Sequence, residues 1–124
     1  MDNARLCVRM APVGAVHPLE GSYVDQKMRK NAKWLLSLKP ERLVAPLRAQ
    51  CGLPVGDAKP YGGWKDYYYY YLRSVINLYT AFRGVDGAIA EEAAQRARKI
   101  VSALIECQQK TAETCPEGMI TPEM

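Results

Sequence analysis

The sequence predicts an all-α protein built from antiparallel helical hairpins, and three observations lead to this fold class. Apolar residues recur at spacings of three and four along most of the chain, which is the period of an α-helix. Proline and glycine residues interrupt this period where turns are expected. The connection around Gly84 and Val85 is short, which makes the helices on either side of it antiparallel neighbours.

Length and composition are those of one globular domain. The chain has 124 residues, of which 48% are hydrophobic and 24% charged. A net charge of +4 is too small to indicate nucleic-acid binding by itself. Basic residues concentrate between Lys27 and Arg48, so a basic docking face remains an alternative to simple attraction between the two halves of the chain.

The spacing of the cysteines and the length of the apolar runs bear on the cellular compartment of the protein. No apolar run approaches the roughly 20 residues that a membrane span needs, and the first residues lack the apolar stretch of a signal peptide. Cys7, Cys51, Cys107 and Cys115 lack the close spacing of a zinc knuckle. We therefore expect a cytoplasmic protein with free thiols, with a disulfide framework as the alternative.

Turn residues and capping residues divide the chain. We expect an extended arm over residues 1–21, a helical domain over 22–109 and an irregular tail over 110–124. Ser22, Asp66 and Asp86 are suited to begin helices, Gly84 to end one, and Pro46 to kink or split one. The expected helices span about 22–39, 40–50, 66–83 and 87–108.

Each expected helix has an apolar stripe that predicts its buried face. Along the first helix the stripe is Val24, Met28, Leu35 and Leu38, with Ala32 and Leu36 beside it. In the second helix it is Leu43, Val44 and Leu47. The third has Tyr68, Leu72, Val75, Tyr79 and Phe82, and the fourth has Ile89, Ala93, Ala97, Ile100 and Leu104, widened by Ala90, Ala94, Val101 and Ile105.

Five consecutive tyrosines, Tyr67 to Tyr71, are the most unusual feature. Five helical positions sweep more than a full turn, so the rings cannot all face one core. Some rings can be buried while the others lie on the surface, some can pack against another chain, or some can stack on a sugar. As a candidate interaction surface we take Tyr67, Tyr68, Tyr69 and Tyr71.

The loop Pro60-Tyr61-Gly62-Gly63-Trp64 is the second candidate. Its two glycines allow a close approach of the backbone, and the flanking aromatic rings can wall a pocket. A purely structural loop is the alternative. The single histidine, His17, lies outside every expected helix and has no recognisable catalytic partner.

Five segments occur in an order and at spacings that match one known family. They are residues 16–23 (VHPLEGSY), 31–48 (NAKWLLSLKPERLVAPLR), 51–53 (CGL), 60–64 (PYGGW) and 104–108 (LIECQ). Together they resemble the N-terminal part of the β-L-arabinofuranosidases, glycoside hydrolase family 127 and its relatives. This resemblance implies that the chain supplies the first helical hairpins of an (α/α)6 barrel, a fraction of a whole enzyme.

The resemblance also implies site residues. Tyr61, Gly62, Gly63 and Trp64 correspond to the family's Tyr-Gly-Gly-Trp loop, and Tyr70 takes the place of a histidine that lines the family's sugar pocket. The family's cysteine nucleophile and zinc ligands have no counterpart in this chain, so we assign no catalytic residue and no cofactor. Cys107 corresponds to a cysteine of the helical hairpin, not to the nucleophile, and Lys65 stands where the family usually has glutamate.

We therefore expect an N-terminal fragment or decayed copy of a β-L-arabinofuranosidase-like glycoside hydrolase that is inactive alone. The alternative is a helical oligomerisation or protein-interaction module that uses the tyrosine-rich helix. The expected partners are a second copy or a completing chain, and a carbohydrate. Nucleic acid and membranes are not expected partners.

Overall fold

The fold of the chain is all-helical, as predicted. A computed structural model describes residues 9–62 and 66–114, and within these ranges there is no β-strand. A short 3-10 turn at Val13–Ala15 precedes four α-helices. The helices are α1 (Tyr23–Ser37), α2 (Pro40–Gln50), α3 (Tyr67–Phe82) and α4 (Gly87–Ala112).

Two of the predicted caps form and one does not. The Ser22 hydroxyl accepts a hydrogen bond from the Asp25 backbone N–H at 3.3 Å, and Asp86 accepts one from Ile89 at 3.3 Å. Asp66 precedes α3 but makes no capping hydrogen bond with its side chain, so the prediction of a cap there is wrong. Gly84 follows α3 with a φ of 85°, the left-handed conformation that glycine adopts without strain.

The middle of the second helix differs from the sequence prediction. Of the two predicted effects of Pro46, a kink or a split, the split does not occur, and α2 continues from Pro40 to Gln50. A proline inside a helix removes the hydrogen bond from its own nitrogen and crowds the carbonyl four residues earlier. Here Leu43, Val44 and Leu47 form a buried apolar face on the same helix. Packing of this apolar face stabilises the helix enough to offset the missing bond.

The last helix is longer than expected. It was predicted to end near residue 108 and continues instead to Ala112. Its last turn includes Thr111, whose hydroxyl donates to the Cys107 carbonyl at 2.8 Å. Part of the predicted irregular tail is thus helical, and residues 115–124 lie outside the described part of the chain.

A single apolar core joins all four helices. The largest contact is between α3 and α4, and α2 packs mainly on α4. The predicted stripes supply most of the core, but Val24, Val101 and Ile105 are 56%, 42% and 49% exposed. At the start of α1 the acidic neighbour Asp25 is turned inward in place of Val24. The most deeply buried large side chains are Phe82, Leu43, Leu47, Ile100, Val75 and Cys107.

Asp25 is the one polar residue among the buried side chains of the described residues. Its carboxylate accepts hydrogen bonds from the Gly21 backbone N–H at 3.0 Å and from Arg29 at 3.2 Å. Arg29 also pairs with Asp86 at 2.9 Å. This group of charges connects the start of α1 to the start of α4, and it satisfies the buried carboxylate.

The predicted extended arm is only partly described. Residues 1–8 lie outside the described part of the chain. The 3-10 turn that follows packs on α3, where a Cβ added to Gly14 would lie 3.3 Å from the Thr80 carbonyl oxygen. Glycine therefore permits this close approach. Val16 and Leu19 remain exposed.

Candidate functional site

The tyrosine run divides into two buried and three exposed rings. Tyr68 and Tyr71 are 9% and 4% exposed and belong to the core. They were predicted as part of an interaction surface, but in this fold they are buried. The helical rotation brings these two onto the face that α4 and α1 cover. Tyr67, Tyr69 and Tyr70 are 44%, 58% and 60% exposed.

The three exposed rings contact one another on the surface of α3. Tyr67 and Tyr70 have ring centroids 6.0 Å apart and tilted by 56°. Tyr69 and Tyr70 meet edge to face, with centroids 5.6 Å apart. Both separations fall within the favourable range for aromatic pairs. We call these three residues the tyrosine ridge.

A cleft between α1 and α3 lies beside the tyrosine ridge. Its aromatic end encloses about 200 Å³ and is walled by Trp34, Tyr67 and Tyr70. The lining also includes Leu35, Leu38, Leu43 and Tyr71. Trp34 is 55% exposed, so its ring is available to a ligand.

A second, more polar cavity adjoins the first. This second cavity encloses about 420 Å³ and shares Trp34, Leu35 and Ser74 with the first. Asn31 of α1 and Asn77 of α3 supply exposed carboxamides at its rim. The two cavities are therefore neighbours with a shared wall, and we call the pair the α1–α3 cleft.

The lining of the α1–α3 cleft combines flat rings with uncharged hydrogen-bonding groups. Ser74 donates its hydroxyl to the Tyr70 carbonyl at 2.9 Å, which leaves the hydroxyl oxygen free to accept from a ligand. The carboxamides of Asn31 and Asn77 can both donate and accept. Such a lining can stack on a ring and hydrogen-bond to hydroxyl groups.

The predicted loop has a different environment. Tyr61 is partly buried, and its hydroxyl accepts a hydrogen bond from the Lys39 backbone N–H at 3.1 Å. The Arg42 guanidinium lies 3.8 Å from the centroid of the Tyr61 ring. These contacts attach the loop to the junction of α1 and α2. Gly62 is exposed, while Gly63 and Trp64 lie outside the described residues.

The structure thus brings together only some of the predicted site residues. Tyr70 and Tyr67 line the α1–α3 cleft, while Tyr61 is absent from its lining. Trp34, Asn31 and Ser74 belong to the cleft but were not singled out in the sequence. They fall outside the apolar stripes, and only the pairing of α1 with α3 brings them to one place.

A larger cavity of about 500 Å³ lies between α2 and α4. Its charged rim is internally paired: Lys99 lies 3.1 Å from Glu41, and Arg48 lies 2.7 Å from Glu106. A hydrogen bond from its own backbone, assisted by Lys99, lowers the pKa of Glu41. Because these charges already have partners, the α1–α3 cleft is the better candidate for a ligand.

Two other kinds of site are absent from the described part of the chain. Among those residues, no group of three or more His, Cys, Asp or Glu side chains is arranged to bind a metal ion. No helix there has both the length and the apolar character required to cross a bilayer. The exposed His17 lies in the segment before α1.

Comparison with protein-family models, curated proteins and solved structures gives no match to this chain. The resemblance to β-L-arabinofuranosidases therefore remains a prediction from the order of short motifs. The class that the fold defines is an all-helical protein with an aromatic cleft.

Proposed function

We propose that this chain is a carbohydrate-binding helical module that corresponds to the first hairpins of a β-L-arabinofuranosidase-like barrel. In this proposal it binds a sugar in the α1–α3 cleft and does not hydrolyse it. The proposal rests on one observation. The cavity walled by Trp34 and Tyr70 adjoins the cavity that carries the carboxamides of Asn31 and Asn77.

The chemistry of a sugar matches this lining. A sugar ring has an apolar face of C–H groups that packs on an aromatic ring, and a rim of hydroxyl groups that donate and accept. The α1–α3 cleft offers both kinds of contact in two neighbouring cavities. Its larger end, about 420 Å³, lies within the roughly 300–1,000 Å³ of small-molecule sites.

The sequence motifs are compatible with the same proposal. Tyr70 stands where the resembling family has a sugar-lining histidine, and in the structure Tyr70 lines the cleft. The short connection between α3 and α4, and their extensive contact, fit an antiparallel hairpin of the kind that builds an (α/α)6 barrel.

The test is titration with L-arabinose and short arabinofuranosides, followed by tryptophan fluorescence. The chain has two tryptophans, so Trp64→Phe leaves Trp34 as the only reporter. We expect a saturable change in emission and a raised melting temperature. Tyr70→Ala should weaken binding two- to tenfold, as the loss of an aromatic contact worth about 0.5–1.5 kcal/mol requires.

Tyr69→Ala is the matched control. Tyr69 is as exposed as Tyr70 and belongs to the same ridge, but it does not line the cleft. Its removal should leave sugar affinity unchanged. Absence of saturable binding in the parent chain, or an equal loss in both variants, would contradict the proposal.

A second candidate is a protein-interaction module that uses the tyrosine ridge. The observation that favours it is the exposure of three adjacent tyrosines beside Trp34, since aromatic residues are enriched in interfaces. Light scattering at several concentrations tests it. An oligomer that dissociates in Tyr69→Ala would favour this function, because Tyr69 lies outside the cleft.

A further inference from the structure

Two cysteines from distant parts of the sequence lie side by side in the fold. Cys51 follows α2 directly and is partly exposed, while Cys107 is completely buried on α4. Thr111 connects them. Its hydroxyl donates to the Cys107 carbonyl at 2.8 Å and lies 3.5 Å from the Cys51 sulfur. The Cys51 sulfur therefore sits against the helical turn that carries Cys107.

The pKa of the Cys107 thiol also reflects the nearby Cys51. Burial raises the pKa of Cys107 to about 12, and the neighbouring Cys51 thiol adds to this rise. Arg48 acts in the opposite direction. The two sulfurs are thus close enough to influence each other's protonation, and neither has another thiol partner among the described residues.

We propose that Cys51 and Cys107 are an oxidative modification site, at which a hydroperoxide converts the two thiols into a reversible disulfide. The accessible sulfur of Cys51 reacts first, and the buried sulfur of Cys107 resolves the product. The disulfide connects the C-terminal end of α2 to the second half of α4.

The two steps balance in atoms and electrons. The Cys51 thiolate attacks the terminal oxygen of the hydroperoxide, the O–O bond breaks, and the alcohol or water leaves with a proton. The sulfur of the resulting sulfenic acid is then attacked by the Cys107 sulfur. The S–O bond breaks, and hydroxide leaves as water with the Cys107 proton. Two thiols are oxidised and one hydroperoxide is reduced.

The first step also prepares the second. A Cys51 thiolate disfavours ionisation of Cys107 by charge repulsion. Conversion of Cys51 to a neutral sulfenic acid removes that repulsion, while burial, the main cause of the raised pKa of Cys107, remains. The order of reaction thus follows from the arrangement of one partly exposed and one buried thiol.

The experiment treats the full chain with hydrogen peroxide, blocks the remaining thiols and digests with trypsin. The four cysteines fall in separate peptides: residues 6–9, 49–65, 100–110 and 111–124. We expect a linked species of 49–65 with 100–110, two hydrogens lighter than the sum, that separates on reduction with dithiothreitol. A Cys7→Ser/Cys115→Ser variant should give the same species.

A second measurement does not depend on digestion. Disulfide closure of the chain between residues 51 and 107 should raise Tm by roughly 5–15 °C in the oxidised double variant. Adding Cys51→Ser, a change at a partly exposed position, should abolish both the linked peptide and the Tm increase. Modification of Cys51 without linkage to Cys107, or linkage only to Cys7 or Cys115, would overturn the proposal.

Discussion

The Tyr71 hydroxyl lies 3.0 Å from the Leu35 carbonyl oxygen and 3.5 Å from that of Leu38, at the end of α1. Arg96 of α4 also donates to the Leu38 carbonyl. The last carbonyls of a helix lack their regular donor one turn on, and here side chains from α3 and α4 donate to the carbonyls of Leu35 and Leu38. Burial raises the pKa of Tyr71, in keeping with a neutral hydroxyl that acts as donor.

Tyr71→Phe tests this contact. Removing the hydroxyl should lower the free energy of unfolding by about 1 kcal/mol, because Leu35 and Leu38 keep one other donor each. Urea unfolding followed by circular dichroism measures the change. Tyr69→Phe is the control, since it removes the same atom from an exposed ring and should alter stability by less than about 0.5 kcal/mol.

Asp86 should make the fold sensitive to acid. Hydrogen bonding from the Ile89 backbone, and then from Arg29, lowers the pKa of Asp86 below its unfolded value of about 3.9. Its contribution is therefore present above pH 4 and is lost as the pH falls through the lower folded pKa. Asp86→Asn retains an acceptor for Ile89 but loses the charge.

We expect Asp86→Asn to unfold with a shallower dependence on pH below about 4, measured by thermal melts between pH 2 and 7. Asp57→Asn, at an exposed loop position, controls for removing one negative charge. An unchanged slope in Asp86→Asn would mean that the pair with Arg29 does not contribute to acid sensitivity.

Two glycines near the start of α4 should respond differently to alanine. Gly84 has a φ of 85° and Gly87 does not have a positive φ, and a Cβ at either position would meet no atom within 4 Å. Gly84→Ala should therefore destabilise by about 1–2 kcal/mol through backbone strain alone. Gly87→Ala should be neutral or stabilising, because alanine is the better helix former. Equal melting temperatures of the two variants would refute this assignment of strain.

Pro46 offers an opportunity to stabilise α2. Pro46→Ala restores a backbone N–H that can donate to the Arg42 carbonyl one turn earlier. We expect a gain of about 1 kcal/mol, reduced by the greater freedom of the unfolded chain. Pro40→Ala is the control, because Pro40 occupies the first turn of α2, where proline is favoured. A loss of stability in Pro46→Ala would mean that packing of the proline ring outweighs the restored bond.

Apolar spacing was sufficient to locate the helices but not to say how many neighbours each one has. The stripe from Tyr68 to Phe82 predicts one buried face of α3, and its members are buried or partly buried. Tyr71 and Leu78 are buried as well, since α1 covers a second flank of the same helix. A helix between several partners buries more than one stripe, and a linear pattern does not show this.

The cleft depended even more on tertiary structure. Tyr70 was a candidate from the family resemblance, while Trp34 and Asn31 appear in the sequence as ordinary exposed positions of a basic helix. Their proximity to Tyr70 and Asn77 depends on how far α1 lies from α3, which the packing of the whole core determines. Capping of α1 and α4 was predictable because a cap is a contact between residues three apart.

The attachment of α1 has a consequence for the motions of the fold. Charge contacts connect the start of α1 to Asp86, and hydrogen bonds from Tyr71 and Arg96 secure its other end, with the α1–α3 cleft between them. Separation of α1 breaks both sets of contacts, so its amide hydrogens should exchange with solvent as one cooperative group. A ligand bound in the α1–α3 cleft adds a third set of contacts to α1. Its affinity can therefore be measured from how much it slows amide hydrogen exchange along the whole helix.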